Sequence, residues 1–481
     1  MRTTGYIVAL FVCLVFLECA SCYNILVIFS HLVKSRYYVF RPLFQELAER
    51  GHNLTIISHI STKKDIKNVR DVLLSTRETR HLLDVKFIGG RRQRYFEPKM
   101  LSDSARMICE SSLKAEPFQS FLREEHNYHL ALVDLFNTNC FFGLVNKLKI
   151  PYIALSPCAM MPWQSGWFGT PSNPSYIPSV FLAPPVPMTF LQRLENTLIH
   201  LAHIAWYKIY MENPGTELSR KYVGYDPVDP YNASLFLVNI HHTFQGSRPL
   251  SPSVVEIGGL HVFDRKPEKL PKDVEEWIDG ATNGLIYFSM GSVLKGHTFP
   301  RDKLEIFNKV FAELPYRVLW KWESDDLPGK PDNVKTIKWA QQFDILCQPN
   351  TKLFISHGGL LGTTESVYCG VPVLAMPQFG DQPLNAQALK QQGAAVILDL
   401  KDVTYDRLKE AITESFKSKI QQNAKELSAR FRDRLVSPLD TSVYWVEHVA
   451  RYRGAPHLKS AAVDMPFYQK IKPNKKKVKK H

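Results

Sequence analysis

The stretch KLFISHGGLLGTTESVYCG, residues 352–370, changes period part-way along. A buried strand reads up to Ser356, the chain turns through His357-Gly358-Gly359, and helical spacing begins near Thr363. A strand that passes through glycines into a helix aims free backbone N–H groups and the positive end of the helix dipole at one point, which suits a phosphate. Glycine lets the backbone approach a pyrophosphate closely, and the His357 imidazole adds a donor. The same turn can also do no more than start a helix, so its flanks decide.

Those flanks alternate strand-like and helix-like runs. Around the quoted stretch lie GLIYFSMGS (284–292), RVLWKW (317–322), VKTIKW (334–339), VPVLAMP (371–377) and NAQALKQQGAAVIL (385–398). An earlier series opens with NILVIFS (24–30), VFRPLFQELAERGH (39–52) and LTIIS (54–58), a βαβ start, and continues through LALVDL, PYIALS and LFLVNIHHTF. The fold class is therefore α/β, with two doubly wound parallel sheets in tandem and a ligand cleft at their carboxyl ends. A Pro-rich break at 171–187 precedes FLQRLENTLIHLAHIAWYKIYM (190–211), whose apolar face is expected to pack on the core, a membrane surface being the less favoured partner.

With 481 residues, 45% apolar and 22% charged, the chain is globular and large enough for two domains. Of the formal charge of +14, seven units come from lysines in the last twelve residues, so the body is only mildly basic. No nucleic-acid signature appears, and there is no Walker loop, GxSxG or HExxH. The opening MRTTGYIVALFVCLVFLECASCYN reads as a cleaved secretory signal ending near Cys22, and no later run is long enough to span a bilayer. That places the mature chain in the endoplasmic reticulum lumen or beyond. Sequons at Asn53 and Asn232 would be available for glycosylation there. Cys109, Cys140, Cys158, Cys347 and Cys369 show no zinc or CxxC spacing and are expected to be mainly buried free thiols. HNYH at 126–129 is read as two imidazoles on one helical face without a third ligand, and His241-His242 as structural or as lining of an acceptor site.

WAQQFDILCQP and MPQFGDQPLNAQAL put Trp339, Gln342, His357, Glu365, Asp381 and Gln382 within 44 residues. This constellation, with FSMGS, LPGKPDNVK and VARYRGAPHLKSAA, resembles the family 1 UDP-glycosyltransferases of animals, most of all the insect members, over nearly the whole mature chain. The resemblance implies the GT-B architecture. It divides the chain into a signal (1–22), an N-terminal acceptor-binding Rossmann-like domain (23–260) and a linker (261–272). A C-terminal UDP-sugar-binding Rossmann-like domain (273–435), a helix packing back on the first domain (436–460) and a basic tail (461–481) follow. It implies transfer of a hexose, glucose above others, from a UDP-sugar to a small lipophilic acceptor with inversion and without a metal or other cofactor.

The resemblance also implies residue roles. Trp339 would face the uracil, Gln342 the base or ribose, and Glu365 the ribose hydroxyls. Ser292, His357, Gly358, Gly359 and Gly362 would hold the diphosphate, and Asp381 and Gln382 the sugar. Leu361 stands where the family has an Asn that helps hold phosphate, and Gln341 where it has a Pro. The tail lacks the family's transmembrane helix, which leaves its lysines for peripheral contact with anionic lipid.

The family's base is a His at the start of the first helix, oriented by an Asp. The Asp matches Asp134, but the His position, sixteen residues before His52, holds Arg36. A guanidinium stays protonated and cannot be a base. Three readings stay open: His31 serves instead; the acceptor needs little base, being an amine, a thiol, or a phenol or carboxylic acid that ionises and pairs with Arg36; or turnover is lost and the chain binds a UDP-sugar or apolar ligand. Asp134 itself would be a weak base, with Arg36 lowering its pKa.

Overall fold

The computed structural model describes residues 22–62, 66–74, 83–84, 94–265, 268–292, 294–463 and 465. The expected signal, apart from Cys22, and the lysine-rich end of the tail lie outside the described residues.

In the first half the strands are β1 (Asn24–Phe29), β2 (Asn53–Ser58), β3 (Val69–Leu73), β4 (Leu83–Asp84), β5 (Leu130–Asp134), β6 (Tyr152–Ser156), β7 (Leu235–Val238) and β8 (Val254–Glu256). In the second they are β9 (Leu285–Ser289), β10 (Leu294–Lys295), β11 (Arg317–Lys321), β12 (Val334–Ile337), β13 (Thr351–Ser356), β14 (Val373–Ala375) and β15 (Ala395–Ile397). LALVD, YIALS and LIYFS are buried at every position, which a strand tolerates only when helices cover both sheet faces. Two parallel sheets result, ordered β3-β2-β1-β5-β6-β7-β8 and β12-β11-β9-β13-β14-β15. β4 joins neither and pairs in parallel with β10, a strap from the first half to the second.

Each sheet reverses its winding at one point, between β1 and β5 in the first and between β9 and β13 in the second. A crevice opens at the carboxyl ends of such strands. Helix α1 (Lys34–Glu49) leaves β1 and buries Tyr37, Phe40, Leu43, Phe44 and Leu47, a stripe at helical spacing. Helix α2 (Glu97–Lys114) covers part of the other face, and α3 (Phe190–Tyr207) follows the Pro-rich break. In the second half α4 (Gln342–Leu346), α5 (Leu360–Cys369) and α6 (Gln382–Gln391) surround the switch point. The last long helix, α7 (Pro438–Tyr452), carries Val443, Val446, Val449 and Ala450 into one cluster with the buried face of α1.

Four expectations are corrected. Cysteines 109 and 140 form a disulfide, as do 347 and 369, with Cα–Cα distances of 6.1 and 4.8 Å; among the five, Cys158 alone is a free buried thiol. Separations of 31 and 22 residues carry no motif, so only the fold brings the partners together.

Helix α3 is turned the other way from the expected packing. Its buried residues are Asn196, His200, His203 and Tyr207, while Phe190, Leu191, Leu194, Leu198, Leu201 and Ile204 are exposed. The reason is Asn196, whose amide accepts from Ser179 N–H (2.8 Å) and donates to the Pro174 and Ile177 carbonyls (2.7 and 2.9 Å), stitching the Pro-rich segment to the helix. A capping box between Thr189 and Gln192 fixes its start.

The HNYH stretch is not helical. His126 stacks on Phe121 at 4.0 Å, and His129 accepts from the Asn24 N–H at 2.9 Å, so each ring has its own structural task. Finally, the helix after the HGG turn starts at Leu360, three residues earlier than its spacing implied.

Candidate active site

The second switch point is lined by the turn after β9 and the turn after β13. His357 sits in a slot between two glycines: a Cβ on Gly291 or on Gly359 would come within 2.5 Å of its ring. Gly358 adopts φ +79°, where a side chain is strained, and a Cβ on it would lie 3.1 Å from the carbonyl oxygen of Gln382. Burial, helped by Lys321, pushes the His357 pKa down to about 4, so the ring is neutral and offers one N–H. Ser292 lies half-buried next to Gly291 in the opposite turn.

Gln342 and Glu365 are joined by a 2.6 Å bond from the Gln342 amide to the carboxylate. Gly362 makes room for it, since a Cβ there would lie 2.8 Å from Gln342 Nε2. Burial raises the Glu365 pKa to about 7 against the lowering by Gln342 and Arg265. The Cys347–Cys369 disulfide links the residue that ends α4 to the last residue of α5, clamping the two helices that carry this pair. Trp339 lies in the loop entering α4 with its side chain 63% exposed, free to take a planar group on its face.

Asp381 and Gln382 stand at the start of α6. Gln382 Oε1 accepts from the N–H groups of Gln378 and Phe379 (2.9 and 3.2 Å), and Asp381 accepts from Asn385 (3.0 Å). Asn385 also donates to the Gly358 carbonyl at 3.1 Å, locking the α5 and α6 turns together. Leu361 packs against the cluster of α1 and α7, so the amide absent from this turn is replaced by apolar contact across the halves.

The first switch point holds the other candidates. Arg36 is the third residue of α1, and its Cζ lies 3.5 Å from the centroid of Phe136, two residues beyond β5. Asp134 ends β5, is buried and leaves Oδ1 without a hydrogen bond. Here the sequence expectation is corrected: Arg36 does lower the Asp134 pKa, but burial outweighs it and raises the carboxyl to about 7. His31 accepts from the Val33 N–H at 3.2 Å and meets the Phe136 ring edge at 5.6 Å. Its pKa is pushed well down by burial, then by Arg36 and His59. An imidazole so hard to protonate is a poor base.

Three residues escaped the sequence reading. Glu97 of α2 reaches across to accept from the Gly380 N–H at 2.9 Å, beside Asp381, and burial raises its pKa to about 8. Nothing in YFEPKM signals a partner 283 residues away. Cys158 is buried where Arg36, Asp381 and Asp134 all act on its thiol, so charges from both halves converge there. Lys321 donates to the Gly291 carbonyl at 3.0 Å, and its charge at the end of an apolar strand was a readable sign. Elsewhere His241, His242 and Glu256 bring ligand-type atoms within 4.8 Å of one another, but Arg248 and Arg434 act on Glu256, a positive field that opposes a cation.

Two facing parallel α/β domains with a phosphate-type turn at one switch point define the GT-B glycosyltransferase fold. Solved structures agree on the fold: a UDP-glucose:anthocyanidin 3-O-glucosyltransferase in complex with UDP aligns over 89% of this chain and 99% of its own (TM-score 0.57, 15% identity). The kitacinnamycin glycosyltransferase aligns over 90% and 100% (TM-score 0.56, 20% identity). Residues 26–471 match the family model described as UDP-glucoronosyl and UDP-glucosyl transferase, and the chain belongs to that family. Among its relatives, UDP-glycosyltransferase UGT5 of Dactylopius coccus is 39% identical over 94% of this chain and 88% of its own. UDP-glucuronosyltransferase 2B19 of Macaca fascicularis is 30% identical over 94% and 89%.

Proposed function

We propose that this UDP-glycosyltransferase transfers glucose, with inversion and without a metal, to the hydroxyl of a small, largely apolar acceptor, and that Asp134 itself takes the acceptor proton. The observation that carries this is the buried Asp134 carboxyl, with a bare Oδ1 and a pKa of about 7, near the value that makes a general base most effective at neutral pH. Arg36 occupies the usual base position but cannot accept a proton. Asp134 Oδ1 removes the proton as the acceptor oxygen bonds to the anomeric carbon. The bond from that carbon to the UDP oxygen breaks, and UDP leaves with the electron pair. The α5 N-terminus and the neutral His357 would stabilise the charge that develops on UDP.

Donor binding follows the same assignment: Trp339 to the uracil, the Gln342–Glu365 pair to the base and ribose, Ser292, His357, Gly358, Gly359 and Gly362 to the diphosphate, Asp381 and Gln382 to the sugar. Two disulfides and exposed Asn53 and Asn232 side chains fit a glycosylated protein of the secretory pathway. No helix among the described residues is long and apolar enough to cross a membrane. The outward apolar face of α3, together with the seven tail lysines, fits contact with the surface of an anionic bilayer.

A second reading, a catalytically impaired binder of UDP-sugar, is favoured by one observation, the Arg36 replacement. Incubation of the native chain and its Asp134→Asn variant with labelled UDP-glucose and an acceptor panel separates the two. Transfer that needs Asp134 supports the enzyme; UDP binding without transfer by either supports the binder.

A further inference from the structure

Arg36 has a chemistry that the transfer step does not use. Its guanidinium lies over the Phe136 ring, yet among the described residues its N–H groups make no hydrogen bond and no ion pair, and Nη1 is shielded from solvent without a partner. A cation on an aromatic face is held by the ring's quadrupole, which fixes its place and satisfies none of its donors. Asp134 is close enough for the two charges to act on one another, but they do not pair, and Asp134 Oδ1 is bare as well. Opposite charges that act on one another and stay apart leave one buried donor and one buried acceptor unmet until a ligand enters between them.

The neighbours sharpen the choice of ligand. His31 and His59 both have pKa values pushed down by burial and remain neutral, and Cys158 is held as a thiol. Arg36 is therefore the cation that acts on Asp134, and it acts on the Cys158 thiol together with Asp134 and, from the other half, Asp381. A guanidinium fork matches a planar oxyanion, which it takes through two parallel N–H bonds, whereas a neutral apolar acceptor would leave those donors buried and unmet.

We propose that Arg36 is an anion subsite of the acceptor cleft, and that the acceptors it selects are hydroxy acids, their carboxylate on Arg36 and their hydroxyl on Asp134. This rests on the transferase reading above. The hydroxyl gives its proton to Asp134, its oxygen bonds to the anomeric carbon, and the bond to UDP breaks with its electrons leaving on UDP. The carboxylate stays ionised on Arg36 throughout, so the product is a glycoside with a free acid group and not an ester.

The test uses 4-(hydroxymethyl)benzoate and its methyl ester, whose hydroxyls are of like acidity, with UDP-glucose as donor. The native chain is expected to favour the acid over the ester in kcat/KM, and Arg36→Met to lower that ratio by about 10- to 100-fold, the range for losing a hydrogen-bonded charge. Arg36→Lys, which keeps the charge and loses the fork, should fall between. UDP affinity, which reports the other half, checks that the variants fold. Calorimetric binding of acid and ester in the presence of UDP separates the two claims. Arg36-dependent acid binding without turnover defeats the transferase reading and leaves the subsite standing. Equal treatment of acid and ester by the native chain in binding and in turnover overturns the subsite, and so does an ester product.

Discussion

The two switch points of the molecule are finished to different degrees. At the second, the charged groups and their neighbours hold one another, Gln342 with Glu365, Gln382 with the Gln378 and Phe379 amides, and Asp381 with Asn385, and only neutral oxygens of Thr363, Gln378 and Asn385 are buried without a partner among the described residues. At the first, Arg36 Nη1 and Asp134 Oδ1 are both shielded and bare. A site whose groups already hold one another is organised before its ligand arrives, as suits a constant donor. A site that keeps opposite charges apart relies on the ligand to satisfy them, which suits selection of an acceptor.

The largest effect that sharpens this contrast is expected from Asp134→Asn. Removing the base should lower the transfer rate by about 10²- to 10⁴-fold while calorimetric UDP affinity holds, because the loss is confined to the first switch point. A matching loss of UDP affinity would break the separation.

Next comes the double Cys347→Ser, Cys369→Ser variant. Releasing a loop of this length is expected to cost about 3 kcal/mol in denaturant unfolding. Because the bridge joins the helices that carry Gln342 and Glu365, UDP affinity should fall with it. The Cys109–Cys140 bridge instead anchors α2 to the loop beyond Asp134 and Phe136, so opening it should alter acceptor kinetics more than UDP binding.

A smaller change is expected of Gly359→Ala. Its Cβ would lie 2.5 Å from His357 Nε2, so the ring must move, at a cost of about 1 to 3 kcal/mol. The readout is a raised KM for UDP-glucose with the acceptor KM little changed.

The smallest stability effect belongs to α3. Exchanging Leu198 and Leu201 for Asn should leave stability within about 0.5 kcal/mol, since both are exposed, yet reduce co-sedimentation with phosphatidylserine vesicles. Unchanged sedimentation would remove the α3 face from any membrane role.

The fold of the second half was legible because its signals are local. Strand, glycines and helix follow one another within 352–370, and Trp339 to Gln382 span 44 residues. What the sequence hid was long-range. Cysteines 31 and 22 residues apart pair only when folded. Glu97 meets Gly380 across the halves. The outward turn of α3 depends on Asn196, whose partners lie in irregular chain that has no period to read. The Asp134 pKa was misjudged in direction for the same reason: a neighbouring charge can be counted from a sequence, but burial cannot.

The central claim, that Asp134 is the base, is tested most directly by the pH dependence of kcat/KM for an alcohol acceptor that does not itself titrate between pH 5 and 9. A carboxyl that must be ionised to accept a proton gives a rate that levels off above its pKa and falls below it. A tenfold fall per pH unit below about pH 7 is expected in the native chain, absent from whatever residual transfer Asp134→Asn retains. A native profile flat down to pH 5, or the same falling limb in the variant, would contradict it.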